Sequence, residues 1–133
     1  MDKIIEYQVN TPITPEQLAD VFAKSGIRRP VHDLERMEKM LAHANLTVTA
    51  WDGEALVGVA RALTDFCWCC YLSDLAVDSA YQHQGIGKRL IERVQVEAGT
   101  EASLLLLAAP EAMAYYPKIG FEPVPNGWLL PRR

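Results

Sequence analysis

Apolar and polar positions along the first third of the chain indicate one strand followed by two helices. Residues from Ile4 to Val9 alternate between the two classes, which predicts an opening strand. A helix is predicted to begin after Thr14, because Thr14 and Gln17 stand at the spacing of a capping box, and to end at Gly26. Apolar residues at helical spacing after Asp33 predict a second helix.

The middle of the chain indicates three consecutive strands. Apolar, aromatic and β-branched residues fill the runs from Leu46 to Trp51, from Ala55 to Leu63 and from Trp68 to Val77. The dipeptide Asp52-Gly53 between the first two runs is a hairpin signal. Three successive strands of this kind predict an antiparallel meander.

The last third of the chain predicts a helix, a buried strand, a short helix and a closing hairpin. Helical periodicity runs from Gly87 to Ala98, and the continuous apolar run from Leu104 to Leu107 is typical of a strand buried on both faces. Residues from Glu111 to about Tyr116 predict a short helix. The runs from Phe121 to Val124 and from Trp128 to Leu130, joined through an Asn-Gly pair, predict a closing hairpin.

In chain order, these elements predict a single α/β (α+β) domain over residues 1–133. Its central sheet is expected to be mixed but mostly antiparallel, with about four helices, because a strand–helix–strand crossover follows the meander. Half of the residues are hydrophobic, which is enough for one ordinary globular core.

The charge balance and the apolar runs exclude some classes of partner. The net charge is −4, which argues against nucleic acid as the main partner because a phosphate backbone calls for a basic face. No apolar run approaches the roughly 20 residues that a membrane-spanning helix needs. The N-terminus lacks the basic-then-apolar order of a signal peptide. We therefore expect a cytoplasmic protein with no membrane partner.

Three cysteines stand close together in the sequence, at Cys67, Cys69 and Cys70. An odd number in one cluster is not a disulfide framework, and zinc sites usually use pairs of ligands with two residues between them, as in C-x-x-C, whereas the spacing here is C-x-C-C. The histidines lie far from this cluster in sequence. We predict no metal site and interpret the cysteines as small buried residues on a strand.

A glycine-containing loop between a strand and a helix is the strongest sign of chemistry. It has the pattern Gln82-x-x-Gly85-x-Gly87, and Lys88 and Arg89 follow in the first turn of the predicted helix. A helix N-terminus presents unpaired N–H groups and a partial positive charge, so this arrangement favours an anionic ligand. The pattern taken alone is equally compatible with a tight strand-to-helix turn, and it is neither a Walker motif nor a complete dinucleotide fingerprint.

Two longer segments around this loop resemble the GNAT N-acetyltransferases. The run Leu72 to Val77, followed by Tyr81 to Leu90, is similar to that family's central acetyl-CoA motif, with the frequent glutamine at its first position. The run Ala114 to Phe121 is similar to the family's second signature, near the C-terminus. The order of the predicted elements also matches, so the resemblance covers nearly the whole chain.

The resemblance implies an acyltransferase that moves an acetyl group from acetyl-CoA, its cosubstrate, to a primary amine of a small molecule or a protein. The amine would attack the thioester directly, without a covalent enzyme intermediate. Backbone N–H groups of the loop would hold the CoA pyrophosphate, and the preceding strand would pair with the pantetheine arm and polarise the thioester carbonyl. The implied cofactor-binding residues are Leu75, Ala76, Val77, Gln82, His83, Gln84, Gly85, Ile86, Gly87, Lys88 and Arg89.

Tyr116 is the candidate proton donor. It matches the family position whose hydroxyl commonly protonates the departing CoA thiolate, and a tyrosine hydroxyl with a pKa near 10 is a feasible donor to a thiolate. Spacing alone is also compatible with a core residue. Pro117 places Tyr116 where a helix ends or kinks, because proline disfavours helical geometry in the residue before it.

Asp74 is the candidate base. Strand alternation gives Asp74 the same facing as Ala76, inside an otherwise apolar strand. A carboxylate in such a strand needs a salt bridge, a substrate ammonium contact or a role as base, and the sequence leaves these three readings open.

Two features depart from the family pattern. The strand before the second signature ends in Ala109-Pro110, where many relatives carry an asparagine that contacts the cofactor. The closing hairpin is small, so a second copy of the chain, joined through Trp128 and Leu129, is a candidate to complete the acceptor pocket as a homodimer.

Two alternative functions use the same loop. One is a non-catalytic acyl-CoA-binding sensor, against which Tyr116 argues. The other is a toxin-type acetyltransferase acting on aminoacyl-tRNA, which would want a basic face, and the chain has only three short basic clusters: Arg28-Arg29, Lys88-Arg89 and Arg132-Arg133.

Overall fold

The computed structural model describes residues 4–133. This part of the chain forms five strands and three α-helices. In chain order they are β1 (Ile5–Val9), α1 (Pro15–Ser25), α2 (Leu34–His43), β2 (Leu46–Asp52), β3 (Ala55–Thr64), β4 (Cys69–Val77), α3 (Ile86–Ala98) and β5 (Ser103–Leu105). Three short 3₁₀ turns cover Ser79–Tyr81, Pro110–Ala112 and Tyr116–Ile119.

The five strands lie in one sheet in the order β1-β2-β3-β4-β5. Neighbouring strands from β1 to β4 are antiparallel, and β5 is parallel to β4. The parallel pair follows from the connection through α3, which carries the chain back to the starting end of β4. This arrangement confirms the predicted fold class and the antiparallel meander. Three of the four expected helices are α-helices.

Helices cover both faces of the sheet and create two cores. Helix α3 packs on one face through residues such as Leu90 and Val94, both fully buried. Helices α1 and α2 cover the other face, where Phe22 and Met37 are fully buried. The start of α1 is held by the predicted capping box, in which the Thr14 hydroxyl accepts from the Gln17 N–H and the Gln17 side chain accepts from the Thr14 N–H.

A β-bulge at Ser73 changes which side chains of β4 face each core. Asp74 pairs with Arg61 of β3, and Leu72 pairs with the next residue, Ala62, so Ser73 has no partner opposite it. Because of this extra residue, Leu72 and Leu75 both pack on the α3 side. Asp74 keeps its place on the opposite face, toward α1 and α2.

The prediction of a short helix between Glu111 and Tyr116 was wrong. Pro110–Ala112 and Tyr116–Ile119 form two 3₁₀ turns instead, each with a proline in its first two positions. Proline suits the start of a helical turn but donates no N–H, and hydrogen bonds here close over three residues, as from the Ala112 N–H to the Ala109 carbonyl.

The predicted closing hairpin does not form. A turn is present, with the Gly127 N–H donating to the Val124 carbonyl at 3.4 Å, but the flanking residues adopt no strand. Trp128 is 98% exposed, so these apolar side chains have no core to pack against within residues 4–133. A hairpin of this size needs such packing to be stable.

The run Leu104 to Leu107 is not buried on both faces as predicted. Strand β5 ends at Leu105, and Leu105 and Leu107 are 46% and 62% exposed. The reason is that β5 is the edge strand of the sheet, a position that the apolar run alone does not specify, and that Leu107 lies beyond the end of this strand.

The interpretation of the three cysteines as buried residues holds only for Cys70. Cys67 and Cys69 are exposed, because Cys67 lies in the turn around Asp65 and Cys69 is the first residue of β4, directly after that turn. One Asp65 carboxylate oxygen accepts the N–H groups of Cys67, Trp68 and Cys69, and these bonds hold the pKa of Asp65 far below its usual range. None of the helices within residues 4–133 has the length and apolar character needed to span a membrane.

Candidate active site

A groove of about 1070 Å³ opens where β4 and β5 stop pairing. The two strands are in register over only three residues of each, from Cys69 opposite Ser103 to Tyr71 opposite Leu105. Beyond these pairs, the groove runs between the second half of β4 and the segment that follows β5. Its walls are residues 25–29 after α1, residues 72–73 and 75–77 of β4, residues 81–83 and 85–88 of the loop, and residues 106–112, 115–116 and 119.

The loop before α3 is shaped to present backbone N–H groups to the groove. Gly85 caps the helix in a left-handed conformation, with φ of 82°, and no side chain of the described residues caps this end of α3. The first helical N–H that bonds backward is that of Arg89, to the Gly85 carbonyl, so the three preceding N–H groups of the helix have no acceptor within it. Lys88 lines the groove, and the first turn contains no acidic residue. This end of the groove is therefore suited to an anion.

Side chains anchor this loop at three places. The Gln82 side-chain amide donates to the Val77 carbonyl at 2.9 Å and to the Ser25 carbonyl at 3.3 Å. The Tyr81 hydroxyl donates to a carboxylate oxygen of Asp52 in β2, and this bond raises the pKa of Tyr81. The end of β4, the end of α1 and the end of β2 thus fix one short loop.

Half of β4 offers backbone groups to the groove. The Val77 carbonyl accepts from Gln82 rather than from β3, so it points away from that strand. Backbone direction repeats every two residues along a strand, so the N–H and carbonyl of Leu75 also point away from β3. Strand β5 does not reach Leu75, which leaves these groups available to an extended ligand.

Most of the predicted cofactor-binding residues line this one groove. Gln84 and Arg89 are exposed to solvent and are not among the residues that line it. The residues that do line it are Leu75, Ala76, Val77, Gln82, His83, Gly85, Ile86, Gly87 and Lys88. Ala109, at the position where many relatives have asparagine, also lines it.

Tyr116 lines the same groove from the segment after β5. Its ring packs edge to face against Tyr115 and Phe121, with ring centroids 5.3 and 5.4 Å apart. Burial, and to a lesser extent the neighbouring Tyr115, raises the pKa of Tyr116. Its hydroxyl makes no hydrogen bond to residues 4–133, so it is a neutral donor available to a bound molecule.

Asp74 lies next to the groove but does not line it, and only 1% of it is exposed. One carboxylate oxygen accepts from the Arg29 Nε at 2.5 Å, and the other accepts from the Arg61 Nε. Both arginines also hold Ser73: the Arg29 Nη2 donates to its carbonyl at 2.9 Å and the Arg61 Nη2 to its hydroxyl at 3.0 Å. Of the three readings for Asp74, this geometry favours the salt bridge.

Arg29, Arg61 and Ser73 were missed from the sequence as members of the site. A signal existed for Arg61, since it is a charged residue within the apolar strand β3, as Asp74 is within β4, and the two strands are neighbours in the predicted meander. Arg29 had no such signal, because it comes from a loop 45 residues before Asp74.

No three His, Cys, Asp or Glu side chains between residues 4 and 133 are placed to share a metal ion. The groove has a helix N-terminus at one end, unpaired backbone groups of β4 along it and a tyrosine on the opposite wall. This arrangement agrees with the resemblance of the two sequence segments to the GNAT N-acetyltransferases. A sequence model of the acetyltransferase (GNAT) domain matches residues 11–127. The chain belongs to the GNAT acetyltransferase family.

Known relatives agree with this membership. The chain is 32% identical over 118 residues to the chloroplastic GCN5-related N-acetyltransferase 1 of Arabidopsis thaliana, covering 84% of this chain and 58% of that one. Among solved structures, a probable acetyltransferase of unknown function from meticillin-resistant Staphylococcus aureus superposes with a TM-score of 0.84 at 25% identity, covering 98% and 100% of the two chains. The GNAT family N-acetyltransferase YhbS of Escherichia coli, solved in complex with CoA, has the same fold, with a TM-score of 0.73 at 20% identity over 92% and 71% of the two chains.

The chain spans only part of the curated relatives that it matches. The matched region makes up between 29% and 65% of their length. These relatives therefore contain segments that have no counterpart in the alignment.

Proposed function

We propose that this protein transfers the acetyl group of acetyl-CoA to a primary amine. One observation carries the proposal: the uncapped start of α3, the unpaired backbone of β4 and the Tyr116 hydroxyl all open onto one groove. These are an anion site, a strand-like docking edge and a proton donor, which are the three elements that acyl transfer from a long, phosphate-bearing thioester requires.

In this proposal, the N–H groups at the start of α3 and the Lys88 ammonium bind the CoA pyrophosphate. The pantetheine arm lies along Leu75 and Val77 and pairs with their outward-facing backbone groups. A backbone N–H in this part of β4 donates to the thioester oxygen as negative charge develops on it. The CoA complex of YhbS supports CoA as the ligand of this fold. No role is proposed for a metal ion.

The reaction is a direct displacement. A neutral amine nitrogen attacks the thioester carbonyl carbon, the new C–N bond forms, and the C–S bond breaks to release the CoA thiolate. Tyr116 gives its hydroxyl proton to that thiolate, and the proton that the attacking nitrogen loses as it becomes an amide passes through solvent to the Tyr116 oxygen, which restores the starting enzyme. The raised pKa keeps Tyr116 protonated over the range in which it must donate.

Asp74 acts in this proposal as a positioning residue rather than as the base. Its two oxygens are occupied by Arg29 and Arg61, and it is shielded from the groove. It holds the bulge at Ser73, and therefore the course of β4 along the groove. The proton of the incoming ammonium leaves through water at the open end of the groove.

The test is a thiol-release assay with acetyl-CoA and a panel of amines, combined with calorimetry of CoA binding. Release that depends on an amine supports transfer. Tight CoA binding without release for any amine would contradict transfer and favour the sensor function.

A homodimer is also proposed, through the open edge of β5. Within the part of the chain that the structure describes, no strand pairs with that edge. The residues near it and in the C-terminal segment that expose apolar side chains are Leu105, Leu107, Trp128, Leu129 and Leu130. Apolar side chains next to an unpaired strand edge fit a second copy of the same segment. Light scattering of the wild-type protein should give twice the monomer mass. The variant Trp128→Lys should have the mass of one monomer. A monomeric mass at high concentration would contradict the dimer.

The cytoplasm remains the proposed location. The name of the Arabidopsis relative places that protein in the chloroplast. Cell fractionation with an antibody against the protein would decide between a cytosolic and an organellar pool.

A further inference from the structure

The groove has two ends, and the far end from α3 is where an amine would enter. If the pantetheine arm follows Val77 and Leu75 from the helix, the thioester reaches the neighbourhood of Ser73. Four residues of extended chain from Val77 to Ser73 span about 13 Å. The acceptor must then approach from the Ser73 side, where the loop after α1 forms the wall.

That wall carries positive charge. Arg28 is exposed and lines the groove. Arg29 also lines it, with 28% of its side chain exposed. Three of the five N–H bonds of the Arg29 guanidinium are used, by Asp74, by the Arg28 carbonyl and by the Ser73 carbonyl. Two N–H bonds therefore remain for a ligand.

Among the described residues, no carboxylate on this wall balances the charge toward the groove. Asp74 is buried and already shared between two arginines. The one carboxylate that lines the groove within residues 4–133 is Glu111, and it belongs to the other wall, formed by the segment after β5. An acceptor with extra ammonium groups would meet unbalanced guanidinium groups here, which is unfavourable.

We propose that the acceptor amine carries an anionic group, a carboxylate a few bonds from the nitrogen, and that Arg28 and Arg29 bind it. This inference rests on the proposed acetyl transfer and names its substrate class. The planar guanidinium fork matches a carboxylate with two parallel hydrogen bonds, and such charge-assisted bonds are among the stronger polar contacts. The anchored carboxylate then holds the amine nitrogen at the thioester.

The test compares amines of equal length that differ at the far end. γ-Aminobutyrate, its primary amide and putrescine present a carboxylate, a neutral amide and an ammonium, and β-alanine with its amide repeats the pair at a shorter length. We expect kcat/KM to be about tenfold or more higher for the carboxylates than for the amides, the size of one charge-assisted hydrogen bond. Phosphoethanolamine against ethanolamine tests whether a phosphate serves equally well.

Variants assign the effect to the wall. Arg28→Gln should lower kcat/KM for the carboxylate amines about tenfold while leaving the amides and the KM for acetyl-CoA unchanged, and Arg28→Lys should restore part of the loss. Arg36→Gln is the matched control, because Arg36 is an exposed arginine on α2 outside the groove.

Three results would overturn the inference while leaving acetyl transfer intact. They are equal rates for carboxylate and amide, a preference for putrescine, and a carboxylate preference that Arg28→Gln does not change. If phosphoethanolamine is preferred over ethanolamine but the carboxylates are not preferred over their amides, the proposed anionic group is not a carboxylate. Absence of thiol release with every amine, despite CoA binding, would refute the transfer function and this inference with it.

Discussion

The replacement Asp74→Asn tests whether the buried carboxylate is structural. The change keeps the size of the side chain and removes its charge. In the native protein, none of the Asp74 side chain is exposed, and each oxygen accepts from a different arginine. Asparagine retains only one oxygen, so the Nε of one arginine loses its acceptor, and both guanidinium groups lose their counter-charge while keeping their bonds to Ser73.

The magnitude follows from the burial of the two arginines. Removing one partner of a buried ion pair costs about 3–5 kcal/mol, because it leaves an uncompensated charge. Arg61 is nearly buried, with 9% of its side chain exposed, whereas Arg29 is 28% exposed and can recover some hydration. We therefore expect the low end, about 3 kcal/mol, against a total stability of roughly 5–15 kcal/mol. For a domain of this size, the melting temperature should fall by about 10 °C.

Thermal unfolding followed by circular dichroism measures this fall. The matched control is Asp20→Asn, because Asp20 pairs with Lys24 on the surface with more than half of each side chain exposed. Such a pair contributes little, so the melting temperature of the control should stay at the wild-type value. The pH profile of kcat, measured well below both melting temperatures, gives the catalytic readout.

If Asp74 only positions β4, the acidic limb of the pH profile should be the same in the variant and the wild type. A variant with the wild-type melting temperature and no acidic limb would refute this reasoning and identify Asp74 as the base. A loss of stability together with an unchanged acidic limb confirms the positioning role.

The remaining predictions concern the donor, the packing of α3 and the loop. Tyr116→Phe should lower kcat about a hundredfold with little change in the KM for acetyl-CoA, since it removes only the hydroxyl that we propose as proton donor; an unchanged kcat would exclude Tyr116 from the mechanism. Because burial raises the pKa of Tyr116, deprotonation of this group should not reduce kcat until the pH exceeds about 10. A fall of the wild-type kcat at lower basic pH that is absent from Tyr116→Phe would contradict this. Gly58→Ala should destabilise the fold by about 1–3 kcal/mol and weaken CoA binding. The added methyl would lie 3.2 Å from the Leu90 Cδ1 and 3.3 Å from the Ile86 Cγ2, and so would press on the start of α3. Wild-type values in calorimetry of CoA binding and in thermal unfolding would contradict this prediction. Gln82→Ala should weaken CoA binding by freeing the loop from Val77, and unchanged affinity by calorimetry would show that the amide does not position the loop.

Features that depend on neighbours in sequence were predictable. The capping box of α1 joins residues three apart, Thr14 and Gln17, and the turn from β4 into α3 is built from consecutive residues around Gly85. Each requires only a particular side chain at a particular spacing, so the amino-acid sequence alone determines it. The end of the groove at the start of α3, which we propose binds CoA, is local in the same sense, and most of the residues predicted for it line the groove.

Features that depend on what the rest of the chain provides were not predictable. The Asn-Gly turn near the C-terminus forms, but its flanks become strands only if another surface covers Trp128 and its neighbours, and residues 4–133 provide none. The same apolar run is a core strand in the middle of a sheet and a half-exposed one at its edge, which is why Leu105 differed from expectation; Leu107 lies beyond the end of β5.

Asp74 shows the physical reason most clearly. The sequence marked it as a carboxylate in an apolar strand and left open whether a base, an ammonium contact or a salt bridge explained it. Its role depends on Arg61, which strand pairing brings opposite, and on Arg29, which the loop after α1 brings from 45 residues away. The charge of a buried group must be balanced by partners in space, and only the tertiary structure brings those partners together.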